Sequence, residues 1–254
     1  MSLDLLFQRA KNLKLHGLIA HWDEVAHQDW VKPLLDWEEE SRLMRGLKRR
    51  FASAKIGRFK PLPQFDWSWP KTCDRGLVEE WMGLGFIKEG TNLILCGPNG
   101  VGKTTIAANI AHQAVAHGAT VLFTSAAEML NELAAIDSDT FLRRRIKYFT
   151  APKLLIIDEV GYLSYANRHA DLFFEIINRR YEKNPTLITT NKPFTEWKDI
   201  FPNAACVVSI IDRLVHHSQI LNIEAASYRL KEAKEQSEAR HHKAKKQKPE
   251  KTTL

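Results

Sequence analysis

The chain is poor in cysteine. Its 254 residues include three, Cys73, Cys96 and Cys206, an odd number with no Cys-x-x-Cys pair. That argues against a disulfide framework or a cysteine-based zinc knuckle and suits a reducing cytosol. A signal-peptide layout is also lacking, because Asp4 precedes any basic residue. One stretch, Thr104 to Ala127, has no Asp, Glu, Lys or Arg, but Asn109, His112, Gln113, His117 and Gly118 interrupt it. It reads as a helix followed by a strand, not as the roughly 20 predominantly apolar residues of a membrane span. No internal repeat is present. The expectation is a cytoplasmic protein that does not enter membranes. What remains is an ordinary globular composition, 44% hydrophobic and 26% charged, with enough length to bury a sizeable core.

Acidic residues are missing from one window. Residues 41–65 carry eight basic groups and no acid, and residues 240–254 carry six and one. Residues 1–40 carry four basic and eight acidic groups, and 66–239 carry nineteen and twenty-one. The net charge of +7 therefore sits in two short segments around a nearly neutral body, which favours a polyanionic partner.

Apolar spacing predicts helices over residues 1–60, with Leu3, Leu6, Phe7, Ala10 and Leu13 on one face. A second helical run to about residue 54 carries a stripe of Leu35, Leu43, Leu47 and Phe51. Pro61, Pro63 and Pro70 beside aromatic residues suggest an ordered, extended linker over 61–76, where Trp67 and Trp69 could dock two domains. From there to 238 the texture changes. Short apolar runs (LILC 93–96, TVLFT 120–124, LLII 154–157, TLITT 186–190, QILNI 219–223) alternate with helical patterns. Continuous rather than alternating apolar strands, each separated by a helix, imply an α/β domain with a parallel sheet flanked by helices. Residues 239–254 read as a basic, disordered tail.

Gly97, Pro98, Asn99, Gly100, Val101, Gly102, Lys103 and Thr104 match GxxxxGK[ST] in full, with Thr105 following, between a strand and a helix predicted over 103–116. Such a loop turns its backbone N–H groups inward around phosphates, aided by the helix N-terminus. Lys103 is suited to the β- and γ-phosphates of ATP and the Thr104 hydroxyl to Mg²⁺. Downstream, Leu154–Ile157 form an apolar strand ending in Asp158-Glu159, at the strand edge where open α/β sheets bind ligands. Asp158 is suited to hold Mg²⁺ through water, and Glu159 to polarise an attacking water. Asn191 ends the next strand, where it could contact the γ-phosphate, although Asn-Lys-Pro also makes a turn.

GPNGVGKT, LLIIDEVGYL, TLITTNKPFTEW, IIDRLVHHS and SYRLKE together resemble the IstB-like transposition helper ATPases, of the IstB/DnaC branch of the AAA+ ATPases that also includes helicase loaders. The resemblance runs from about Asp66 to Glu235. It implies an N-terminal helical domain before a P-loop AAA+ ATPase domain. It also implies a homo-oligomer that assembles on double-stranded DNA with ATP and assists an IstA-like transposase. On this resemblance Lys103 and Thr104 bind phosphate and Mg²⁺, and Asp158 and Glu159 form the hydrolytic pair. Asn191 is the first sensor, Arg213 the finger that reaches a neighbouring subunit's ATP, and Arg229 the second sensor. Spacing alone favours a surface ion pair of Arg213 with Asp212 or a carboxylate one turn away, and only the resemblance reverses that. The family's Gly-Glu-Ser before Tyr-Arg is Ala225-Ala226-Ser227 here, which puts the turn leading to Arg229 in question.

The acid-free window offers Arg42, Arg45, Lys48, Arg49, Arg50 and Lys55 to DNA, with Arg42, Arg45 and Arg49 on one helix face. A solvated face balancing Glu38–Glu40 is the alternative. Arg143, Arg144 and Arg145 form a second basic run, either a DNA-facing surface or a solvated helix face. With no sequence-reading module, binding is expected to be phosphate-dominated and salt-sensitive. His216-His217 and His241-His242 are not expected to hold metal, since helical neighbours point about 100° apart. A helicase loader acting on single strands would share the ATPase site, and a small-molecule phosphotransferase would share only the phosphate loop.

Overall fold

The computed structural model describes residues 2–162, 165–202 and 204–246. The chain forms two compact units, Met1–Ala52 and Ser53–Leu254. Four helices are found first: α1 (Leu3–Asn12), α2 (His16–Ala20), α3 (Trp22–Val25) and α4 (Val31–Ala54). Ser2 caps α1 through a hydrogen bond from the Leu5 N–H. Leu6, Ala10 and Leu13 meet Val31 and Leu35 of α4 in a small core. Arg9 ties the same two helices, donating to both carboxylate oxygens of Glu39 and to Asp36 at 2.6–2.8 Å. The stripe expected along α4 is interrupted: Leu35 is buried and Leu47 and Phe51 are half-buried, but Leu43 is 70% exposed.

In the second unit follow α5 (Arg75–Met82), α6 (Gly85–Glu89), α7 (Lys103–Ala116), α8 (Ala126–Ala134), α9 (Asp139–Thr150), α10 (Asn167–Arg180), α11 (Trp197–Ile200), α12 (Ala204–Val215) and α13 (Tyr228–Lys246). The strands are β1 (Asn92–Cys96), β2 (Val121–Ser125), β3 (Leu154–Val160), β4 (Thr186–Thr190) and β5 (Ser218–Asn222), paired in parallel in the order β2-β3-β4-β1-β5. These are the five apolar runs of the sequence, connected by helices; β1, β3 and β4 are largely buried on both faces, whereas the edge strand β5 is partly exposed. α7 is buried nearly all round, which explains its lack of charge after Lys103. One cluster packs α8, α9, α10 and α12 onto β2–β4, with Phe173, Trp197 and Phe201 at its centre. No helix among the described residues is long and apolar enough to cross a membrane.

The unit boundary falls at Ala52, so residues 61–76 belong to the second unit. This segment does not span a gap. The Leu62 N–H donates to Asn109 Oδ1, whose amide nitrogen donates to the Lys60 carbonyl, at 2.8 and 2.9 Å. Thr72 and Glu224 form an antiparallel bridge. Trp69 Nε1 donates to the Ala226 carbonyl at 2.8 Å, so this indole is used within the second unit. The last helix continues to Lys246, beyond 238, and residues 247–254 lie outside the described residues.

Candidate active site

The C-terminal ends of β1, β3 and β4 open into a cleft of about 690 Å³. Asn99 to Thr105 line it together with Glu159, Thr189, Asn191 and Arg229. Gly100 and Gly102 adopt left-handed backbone (φ 79° and 100°). A Cβ on Gly100 would lie 2.3 Å from Ser227 Oγ, and one on Gly102 would lie 2.4 Å from the Phe65 ring. Glycine is required at both positions by conformation and by space. Lys103 is 8% exposed, and its ammonium donates to the carbonyls of Gly97 and Pro98 at 2.6 and 2.7 Å. Burial pushes its pKa below the ordinary lysine value, while the charges of Asp158 and Glu159 oppose that shift.

Asp158 is buried at the end of β3 and accepts from the Thr104 hydroxyl at 3.1 and 3.2 Å. A hydroxyl and a carboxylate so placed are the hard oxygen donors that Mg²⁺ prefers, and the pair fits that ion. Glu159 behaves differently. Its φ is 60°, and the β3–β4 register slips there, with Ile157 opposite Ile188 but Val160 opposite Thr190. Asp158 and Glu159 thus share one partner, Thr189, in a β-bulge. Successive strand residues ordinarily face opposite sides of a sheet. The bulge breaks that alternation, leaving Asp158 buried and Glu159 exposed at the cleft.

Thr189 is the residue that sequence reasoning missed. It is fully buried, its hydroxyl accepts from the Glu159 N–H at 2.9 Å, and the same hydroxyl donates to Asp158 Oδ1. In TLITT it reads as one more β-former, and only the strand order places it against Asp158-Glu159. Thr189→Val keeps the shape but leaves the Glu159 N–H without its acceptor and Asp158 with Thr104 alone, at an expected cost of about 1–3 kcal/mol, or about 2–12 °C in Tm for a chain of this size. ATP turnover should fall with it. Thr189→Ser should restore both, as thermal melts and phosphate release will show; full turnover in the valine variant contradicts a positioning role.

The segment 58–70 was also missed as part of the site. Phe59, Phe65 and Trp69 line the cleft with Arg58 and Lys60. Opposite lies the start of α13, where the Tyr228 N–H donates to the Gly100 carbonyl at 2.9 Å. Ion pairs join the two sides, Lys60 with Glu232 and Lys231 with Asp66 at 3.1 Å. The Lys231 ammonium also sits 4.5 Å from the Trp69 ring centroid. The turn Ala225–Ser227 is therefore held by Trp69 and Gly100, without the family's Gly and Glu, and brings Arg229 to the cleft.

Arg213 lies elsewhere. On α12 it donates to Asn178 Oδ1 at 3.0 Å and to the Ser209 carbonyl at 3.1 Å, with its guanidinium 4.8 Å from the Phe174 ring centroid. It is not among the residues lining the cleft of its own chain.

The basic residues of the acid-free window separate. Arg42 and Arg45 both pair with Glu38, at 2.6 and 3.4 Å, whereas Lys48 and Arg49 are exposed on α4. Arg50 is half-buried, and Lys55 lies 5.9 Å from the Tyr148 ring centroid. On α9, Arg143 and Arg144 are exposed, but Arg145 stacks 4.0 Å from the Tyr148 ring centroid and donates to Glu132 at 2.7 Å. Arg58 and Lys60 face the nucleotide cleft instead.

A five-stranded parallel sheet carrying a phosphate loop after β1 and an acidic pair on β3, with β4 between them, defines a P-loop nucleotide-binding protein. Residues 8–237 match the family described as IstB-like ATP binding protein, and the chain belongs to that family. It is 37% identical over 240 residues to an ATP-binding protein of insertion sequence IS21 from Pseudomonas aeruginosa, covering 91% of this chain and 89% of that one. It is 33% identical over 214 residues to the corresponding IS5376 protein of Geobacillus stearothermophilus, covering 84% and 85%. Among solved structures it is similar in fold to DnaI, with a TM-score of 0.56, 23% identity and coverage of 66% of this chain and 93% of that one. It is also similar to the replication initiator DnaA bound to AMPPCP and single-stranded DNA, with a TM-score of 0.52, 22% identity and coverage of 70% and 54%.

Proposed function

We propose that this protein hydrolyses ATP, assembles as a homo-oligomer on duplex DNA, and assists the transposase of an insertion sequence in transposition. The observation that carries the reading is the division of its site. Lys103, Thr104, Glu159, Asn191 and Arg229 line one ATP-sized cleft, with Asp158 hydrogen-bonded to Thr104 beside it, while Arg213 stands outside, available to a neighbour's cleft. Membership of a family whose relatives are named as insertion-sequence ATP-binding proteins supplies the transposition context.

In this reading Lys103 and the loop N–H groups bind the phosphates, and the aromatic side of the cleft (Phe65, Trp69, Tyr228) packs against the base. Thr104 and Asp158 would hold Mg²⁺, which neutralises charge on the β- and γ-phosphate oxygens. Glu159 orients and polarises the attacking water, whose proton it can accept at the cleft surface. Asn191 and Arg229 contact the phosphates from the two remaining sides.

DNA is held electrostatically, through α4, with Arg143 and Arg144 as a second contact. Lys48→Ala/Arg49→Ala should lower the slope of log K against log[salt] for duplex DNA by about 2. Arg42→Ala should change it less, because Glu38 already engages that side chain. Filter binding across a salt series measures both, and an unchanged slope in the double variant removes α4 from the interface. The reading as a whole is tested by phosphate release with and without duplex DNA, with imaging of assemblies formed in ATP. Stimulation by single strands alone would indicate a helicase loader instead.

A further inference from the structure

His216-His217 does not lie on a helix. α12 ends at Val215, and the pair occupies the turn before β5, with ring centroids 4.1 Å apart. The expectation that the two rings diverge around a helix axis therefore does not apply. Glu182, from the loop after α10, has left-handed backbone (φ 55°), and its Oε1 lies 3.9 Å from His217 Nε2. Among the described residues, Glu182, His216 and His217 each offer a ligand atom, all within 4.8 Å of one another.

We propose that Glu182, His216 and His217 form a surface site for a divalent transition-metal ion, Zn²⁺, distinct from the Thr104–Asp158 pair at the nucleotide. Two imidazoles and one carboxylate suit zinc, whereas Mg²⁺ prefers oxygen donors alone. Tetrahedral ligands about 2.0–2.1 Å from zinc lie about 3.3 Å from one another. Side chains this exposed reach that spacing by rotation about their χ angles. The His216 ring is already oriented, since its Nδ1 lies 2.9 Å from the Tyr181 hydroxyl. With Nδ1–H donating to the phenol oxygen, Nε2 keeps its lone pair for the metal. A fourth position is left for water.

The backbone that carries these ligands is fixed on both sides. Arg180, buried just before Tyr181, donates to the carbonyls of Thr150 and Pro152 at 3.0 and 2.8 Å and to Thr186 Oγ1 at 3.0 Å. The His217 carbonyl accepts from the Asn92 N–H at 2.7 Å, and the His216 N–H donates to the Asp212 carbonyl at 3.0 Å. A bound ion joins the end of α10 to the end of α12, the helices that carry Asn178 and Arg213. Zinc occupancy thus stiffens the surface on which Arg213 is displayed, although binding itself does not depend on what Arg213 does.

The test uses the untagged full-length protein, stripped with chelator. Calorimetric titration with Zn²⁺ should give one equivalent at micromolar affinity, unaffected by millimolar Mg²⁺. Co²⁺ should develop the visible bands of a tetrahedral N/O site. His217→Ala and Glu182→Gln should each weaken Zn²⁺ at least tenfold while leaving ATP binding intact, which also confirms that the variants fold. No binding by the wild-type protein overturns the proposal. So does binding that both variants retain at full strength, which would place the ion at other histidines.

Discussion

Glu159→Gln should bind ATP as tightly as the wild type and assemble on duplex DNA, while losing hydrolysis by about 10²–10⁴-fold, the contribution a general base makes. The substitution is isosteric, and the backbone N–H that donates to Thr189 is untouched. The bulge, and with it the position of Asp158, should therefore survive. What disappears is the carboxylate that can take a proton from water. Asp158→Asn gives the contrast, because Asp158 is buried against Thr104 and Thr189 and its replacement should weaken Mg²⁺-dependent nucleotide binding itself. Nucleotide-binding titrations beside phosphate release separate the two. Turnover at the wild-type rate in Glu159→Gln would remove Glu159 from the chemistry.

The second large effect is expected at Arg213. Arg213→Ala should retain nucleotide yet hydrolyse it about 10³-fold more slowly or worse, even at high protein concentration, as for other arginines supplied in trans. Asn178 and Ser209 fix the guanidinium over Phe174, so on the proposed trans role part of the entropy of presenting it is lost before a neighbour arrives. Mixing Arg213→Ala with Glu159→Gln subunits should recover activity, since one supplies an intact cleft and the other an intact arginine. Activity that stays at the level of the separate variants would assign Arg213 to its own subunit.

Much of the fold is legible in the sequence because its central strands β1, β3 and β4 are largely buried on both faces. LILC, LLII and TLITT read as apolar runs regardless of neighbours, and the phosphate loop is defined by contiguous residues. The site is legible only where it is contiguous. Thr189 acquires its role from a register slip between β3 and β4, which no local pattern encodes. The Pro- and Trp-rich segment 61–76 reads as a spacer because composition reports stiffness, whereas its partners Asn109, Ala226 and Glu224 lie far away in the chain. On α4 the failure has the opposite sign. Leu43 keeps helical spacing with Leu35 and Leu47 yet is 70% exposed, because spacing names a helix face without naming what packs on it. The histidine pair fails for a third reason, since helix propensity runs on past Val215 while the chain itself turns towards β5.

The pairing of residues 60–70 with the start of α13 also affects how the protein is made. Lys60 and Glu232, which close the cleft, are 172 residues apart, and Trp69 and Ala226 are 157 apart. At about 5–20 residues per second, roughly ten to thirty seconds of synthesis separate one side of the cleft from the other. A nascent chain on the ribosome therefore exposes its phosphate loop and aromatic segment long before the opposite side exists. The complete nucleotide cleft exists only once the start of α13 has been made.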